Sequence, residues 1–165
     1  MQRSAGHLPG GPKPDEARQV TAIEIAAALA RRFEGFYSTP YLCPAGVPTI
    51  GFGATFYEDG RSVRLTDPVM GRARAEQLLL WMVKTKYLPA VAVLCPSIDS
   101  PDRMAALIDF AFNLGAGNLK ASTLRRRVNV RDWDQARVEI RRWNKAGGRV
   151  LRGLTIRREA EAVLL

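Results

Sequence analysis

The sequence predicts a predominantly helical α+β fold whose β structure is confined to one small lobe. Three patterns carry that expectation. From Asp67 onward, apolar residues recur at spacings of three and four in segments bounded by Pro, Ser and Gly. Around Thr49 the period changes to two, with Ile50 and Phe52 on one face of a strand and Thr49, Gly51 and Gly53 on the other. Shortly afterwards Glu58-Asp59-Gly60-Arg61 has turn chemistry, and its flanks Phe56-Tyr57 and Val63 to Leu65 can pair as a hairpin.

Taken in order, residues 1–19 are rich in Gly, Pro and charge without periodicity, and read as a flexible leader; residues 20–165 read as one domain. A first helix is expected from a Thr21 cap, packing Ala22, Ala26, Leu29, Phe33 and Phe36. Glu34 then falls in its last turn, with Gly35 as terminator. Residues 31–55 form a helix end, a compact loop and the first strand of a hairpin, and Gly51 and Gly53 leave room beside Thr49 for a bulky ligand. Thr66-Asp67-Pro68 is a helix start, followed by the stripe Val69, Ala73, Leu80, Val83 and Tyr87. Pro89 and Pro96 bracket a short apolar segment that must be buried or paired with another helix. Ser100-Pro101 opens a central helix, apolar on most of its circumference through Leu114 and ended by Gly115. A shorter basic helix spans residues 119–128. The next carries Trp133, Ala136, Ile140 and Trp143 on its packed face, opposite Arg137, Arg141 and Arg142, and ends at Gly147-Gly148. A last helix from about Thr155 turns Ala160, Val163 and Leu164 inward.

At 165 residues the chain is long enough to bury a real core. Its net charge of +9 and pI near 10.2 favour an anionic partner. The arginines are interleaved with Asp and Glu, which argues for a solvated surface and against a nucleic-acid patch. Two cysteines, Cys43 and Cys95, make no disulfide framework, and no Cys-x-x-Cys is present. His7, the only histidine, lies in the leader, so histidine-based triads and His-ligated zinc are excluded, and neither metal nor cofactor is expected. The apolar run 22–30 is interrupted by Glu24 and too short to span a bilayer, and no secretory segment is evident. A monomer made soluble in the cytoplasm is expected.

Glu34, then Cys43 after eight residues, then Thr49 after five, running into Ile-Gly-Phe-Gly, resembles the Glu-x8-Asp/Cys-x5-Thr signature of the phage-type lysozymes, the glycoside hydrolases of bacteriophage endolysins. The resemblance continues through Phe112-Asn113-Leu114-Gly115, Ser122-Thr123-Leu124, Trp143, Gly153-Leu154 and Arg157-Arg158-Glu159, in the family's order, over residues 20–165. It implies a two-lobed fold in which a long helix joins the small β-hairpin lobe to a larger helical lobe. It also implies a muramidase that cuts the β-1,4 bond between N-acetylmuramic acid and N-acetylglucosamine in bacterial peptidoglycan. Such an endolysin is made in the host bacterial cytoplasm and reaches the wall through a membrane pore; an anionic outer-membrane surface is a further partner its charge would suit.

In that reading Glu34 protonates the glycosidic oxygen as the bond breaks toward an oxocarbenium-like state. Burial against apolar neighbours would keep its proton, whereas a nearby Arg157 would favour the anion. An inverting glycosidase supplies a second carboxylate to activate water, and here Cys43 stands at that place. A thiol with an ordinary pKa of about 8.5 is mostly neutral at pH 7, so Cys43 orients water or acts as a weak base unless the site lowers that value. The alternative is a small inert cysteine. Thr49 would hold the same water, and oxidation of Cys43 by Cys95 or an external thiol would block it. Asn113 and Ser122 resemble positions that shape the helical side of the cleft, although ending one helix and capping the next accounts for them equally well. Two other functions stay open: a lytic transglycosylase, which needs one carboxyl group and yields 1,6-anhydro ends, and a cationic membrane-perturbing protein acting through Arg141, Arg142, Arg157 and Arg158.

Overall fold

In the computed structural model, which describes residues 13–43 and 45–165, the first helix starts earlier than the sequence pattern implies. Helix α1 spans Pro14–Glu34, so residues 14–19 of the expected leader are helical, while His7 lies outside the described residues. Pro14 stands in the first turn, Asp15 and Glu16 complement the helix dipole, and the Glu16 carboxylate accepts from the Lys13 amide at 3.2 Å. These signals sit in a Gly- and Pro-rich context that hides them. Thr21 is not a cap; its hydroxyl donates back to the Ala17 carbonyl inside the helix.

At Gly35, with φ of 71°, the chain leaves α1 and enters a two-stranded antiparallel ribbon, β1 (Tyr37–Leu42) and β2 (Pro48–Gly51). Tyr41 pairs with Thr49 and Tyr37 with Gly51, so β1 carries a bulge between its two tyrosines, where Pro40 has no N–H to offer. The strand stops at Gly51 rather than running on to Thr55. Gly51 and Gly53 take φ of 66° and 87°, and the turn between them pairs Ile50 with Ala54. The predicted turn after Tyr57 is present, with a single bridge between Phe56 and Ser62.

The connecting helix is α2 (Arg72–Met82), a π-helical stretch Val83–Tyr87, and α3 (Leu88–Leu94). Pro89 has no N–H for the carbonyl four residues back, and the backbone widens just before it, where the Leu88 amide donates to the Val83 carbonyl. The start expected at Thr66-Asp67-Pro68 is instead a loop knotted around Asp67, which accepts from the Tyr57 hydroxyl, the Arg61 guanidinium and the Arg64 amide. The first half of the stripe is also rephased: Ala75, Leu78, Leu79 and Met82 are buried while Val69 is 70% exposed, whereas Val83 and Tyr87 face the core as expected. What selects that face is β2: a Cβ on Gly51 would lie 3.1 Å from that of Ala75, so α2 rests on the ribbon through the smallest residues available.

Helix α4 (Pro101–Leu114) is the hub, capped by Ser100 as expected. Seven consecutive residues from Ala105 to Ala111 are buried, and α1, α3 and α8 pack around it. The predicted basic helix is two, α5 (Ala116–Ala121) and α6 (Thr123–Asn129), divided at Ser122. Helix α7 (Trp133–Arg141) follows, and Gly147-Gly148 turns a second small ribbon, β3 (Lys145–Ala146) with β4 (Arg149–Val150), so β structure is not confined to the first hairpin. Trp143 meets Phe110 edge-on at 5.4 Å, and Trp133 lies under the Arg103 guanidinium at 4.0 Å, both packing against the core. Helix α8 spans Arg152–Leu164. Val163, expected inward, is 80% exposed; the buried face of α8 is carried by Arg157, Arg158, Glu161 and Ala162, a polar stripe that hydrophobic periodicity cannot register. Among the described residues no helix is long and apolar enough to cross a membrane.

Candidate active site

Glu34 is the last residue of α1, and its side chain is 26% exposed. The Arg157 Nη1 group donates to its Oε1 at 2.5 Å. From the ribbon side, a Cβ on Gly53 would sit 3.7 Å from Glu34 Oε2 and 3.7 Å from the Phe112 ring, so the glycine lets the backbone close on the carboxylate without a side chain between them. The phenols of Tyr41 and Tyr87 are each pushed above their ordinary range, first by burial, with the charge of Glu34 adding to both. Cys43 also contributes at Tyr41, which places that ring in electrostatic reach of both candidate catalytic groups.

Behind Glu34 lies a buried polar network. The Asp109 carboxylate accepts two bonds from Arg157, from Nε and from Nη2, each 2.8 Å long. Burial works against the Arg157 charge, but Asp109 and Glu34 more than offset it and hold the guanidinium protonated. Arg158 donates through Nη2 to Glu161 at 2.6 Å and to Asn113 Oδ1 at 3.1 Å. Burial pushes the Glu161 carboxyl well above the carboxylate range, with neighbouring Asp109 adding to the rise. It acts in the opposite sense on Arg158, lowering it, but a guanidinium starts high enough to stay charged near neutral pH.

Cys43 closes the loop between β1 and β2, its amide donating to the Val47 carbonyl at 3.1 Å and its carbonyl accepting from the Gly46 amide at 2.8 Å. Its thiol is held below the ordinary value by the Val47 backbone first, then that of Ala45, with the Thr49 hydroxyl assisting. Thr49 is buried, and its hydroxyl donates to the Val47 carbonyl at 2.9 Å, so it serves the sulfur only by turning from that carbonyl. Cys95 differs in setting: it ends α3, buried in the core, and burial raises its thiol to about 11. Both thiols are free. We therefore expect a thiol reagent to label the native protein once, at Cys43, with Cys95 reacting only on unfolding. Because the Cys43 value is lowered, its thiolate fraction rises with pH earlier than that of a free cysteine, and the pH midpoint of its alkylation rate should fall below that of a cysteine peptide. An equal or higher midpoint would contradict this.

Tyr41 thus lies in electrostatic reach of both Glu34 and Cys43, and Thr49 adjoins the Cys43 thiol. Asn113 and Ser122 make internal contacts: Asn113 holds Arg158, and Ser122, buried, donates to the Leu119 carbonyl and caps α6 by accepting from the Arg125 amide. Arg141 pairs with Glu159 at the surface, and Arg142 reaches back to the largely buried Glu139. The sequence reading missed Asp109, Glu161 and Tyr41. Asp109 left one signal, a lone carboxylate at a fully apolar position of an otherwise buried run, which implies a buried cationic partner.

The sequence profile of the family described as phage lysozyme matches residues 31–161. The SAR-endolysin of Enterobacteria phage P21 is 36% identical over 150 residues, covering 85% of this chain and 85% of that protein. The endolysin of Bacillus phage B103 is 34% identical over 136 residues, and the aligned region is 82% of this chain but half of that protein's length. Among solved structures, the endolysin from Escherichia coli O157:H7 phage FAHEc1 superposes with a TM-score of 0.75 at 27% identity, covering 85% of this chain and 89% of that one. A P22 lysozyme mutant gives 0.72 at 26%, covering 84% and 93%. A profile match spanning most of the chain, relatives above 30% identity and the shared fold lead to one assignment: this chain belongs to the phage lysozyme family of glycoside hydrolases, the endolysins of phage cell-wall lysis.

Proposed function

We propose that the chain is an inverting muramidase acting on the β-1,4 bond between N-acetylmuramic acid and N-acetylglucosamine, with Glu34 as general acid, Cys43 activating or orienting water, and Thr49 supporting that water site. The observation that carries the reading is the placement of Glu34, fixed at the end of α1 and salt-bridged from behind, with an open glycine backbone in front. The lowered Cys43 thiol supports the water-activating role, because a thiolate is a competent base nearer neutral pH than an ordinary thiol. Asn113 and Ser122 support the helical wall from behind. The substrate is peptidoglycan, and the enzyme acts on the wall after synthesis in the host cytoplasm.

The second reading, a lytic transglycosylase, is favoured by the absence of a second carboxylate at position 43. Digestion of purified peptidoglycan followed by mass analysis separates the two. The muramidase yields hydrated reducing ends on N-acetylmuramic acid, initially in the inverted anomer; a 1,6-anhydro end would overturn the assignment.

A further inference from the structure

Three helices meet at one guanidinium. Arg157 on α8 uses Nε and Nη2 on Asp109 of α4, two bonds of 2.8 Å, and this bidentate grip fixes the plane of the group. Nη1 is then the nitrogen that reaches Glu34 of α1, at 2.5 Å. Asp109 sits in the middle of the most completely buried run in the protein, and its own side chain is fully buried. It is therefore the least mobile member of the chain Asp109–Arg157–Glu34. It also supplies charge. A lone guanidinium against Glu34 would hold it as the anion, yet a general acid must carry a proton when substrate is bound. With Asp109 taking two of the Arg157 bonds, its carboxylate offsets the positive charge that this guanidinium presents to Glu34, while neighbouring Arg158 is engaged by Glu161 and Asn113 instead.

We infer that Asp109 is a positioning residue for the reaction: acting through Arg157, it sets the orientation of the Glu34 carboxyl and moderates the charge that Glu34 faces. The inference rests on the assignment of Glu34 as the acid. Nothing of Asp109 touches substrate, so its removal should appear in turnover and not in binding.

The test is steady-state kinetics on solubilised peptidoglycan fragments, at a temperature where circular dichroism shows each variant folded, with the products identified by mass. Asp109→Asn should lower kcat at least tenfold while KM stays within twofold. In an Arg157→Gln background the same change should produce no further loss of kcat. If Asp109→Asn does not fold, Asp109→Glu carries the test: it keeps the buried charge but lengthens the arm by one methylene, and a folded variant with reduced kcat and unchanged KM is expected. Wild-type kcat in a folded variant, a loss confined to KM, or a further tenfold loss on top of Arg157→Gln would overturn the proposal while leaving the muramidase assignment standing. A wild-type enzyme that releases no muramidase product would overturn both.

Discussion

Replacing Glu34 with Gln is expected to lower kcat on purified peptidoglycan by about 10²- to 10⁴-fold, the usual contribution of a positioned general acid. The fold should survive. Gln has the shape of Glu, its amide oxygen can still accept from Arg157, and Arg157 keeps its two bonds to Asp109. Because the Gln oxygen still accepts from Arg157 and the guanidinium keeps its Asp109 partner, no buried charge is stranded and stability should change by only about 1–2 kcal/mol. The measurement is release of reducing ends alongside a thermal melt. Turnover within tenfold of wild type, in a protein with an unchanged melt, would remove Glu34 from the chemistry. Bacterial killing that persisted without turnover would revive the cationic, non-enzymatic reading as an added activity.

How much of this was legible in the residues follows from what each signal depends on. The central helix was readable because it obeys local rules, Ser-Pro at its start and apolar spacing along α4, whereas of the ribbon only β2 was: its partner β1 (Tyr37–Leu42) falls in what reads as a compact loop, with Pro40 in its middle. Glu34, Cys43 and Thr49 could be singled out because their spacing resembles a family signature confined to sixteen residues, a local pattern that needs no knowledge of distant partners. The buried face of α8 was not. Its inward positions are Arg157, Arg158 and Glu161, and a hydrophobic stripe drawn through the same helix picks out Val163, which faces solvent. Such positions are fixed by partners far away in the chain; Arg157 meets Glu34 across 123 residues and Asp109 across 48. The phase of α2 was misread differently: its buried residues Ala75, Leu78, Leu79, Met82 and Val83 do recur at helical spacing, but the competing stripe through Val69, Ala73 and Leu80 was chosen, and Ala75 is the residue that rests on Gly51 of the ribbon.

Removing Arg157 should produce the largest loss of stability in the molecule outside the apolar core. Arg157→Leu preserves much of the side-chain volume but leaves Asp109 buried with its ion pair gone, and breaking a buried pair from one side costs about 3–5 kcal/mol. For a chain of this size each kcal/mol moves the melting temperature by about 2–4 °C, so a fall of roughly 6–20 °C is expected by calorimetry. The asymmetry supplies the decisive control. If the cost arises from the stranded Asp109 charge and not from lost packing, then Asp109→Asn added to Arg157→Leu should recover at least half of that fall, although each substitution alone destabilises. A double variant that melts lower still would mean that the two residues contribute independently, and that the network behind Glu34 is not a coupled unit. Recovery of stability should not bring recovery of turnover. The repaired double variant no longer strands the Asp109 charge but has no guanidinium on Glu34, so its kcat should remain as low as that of Arg157→Leu, separating what holds the helices together from what holds the acid in place.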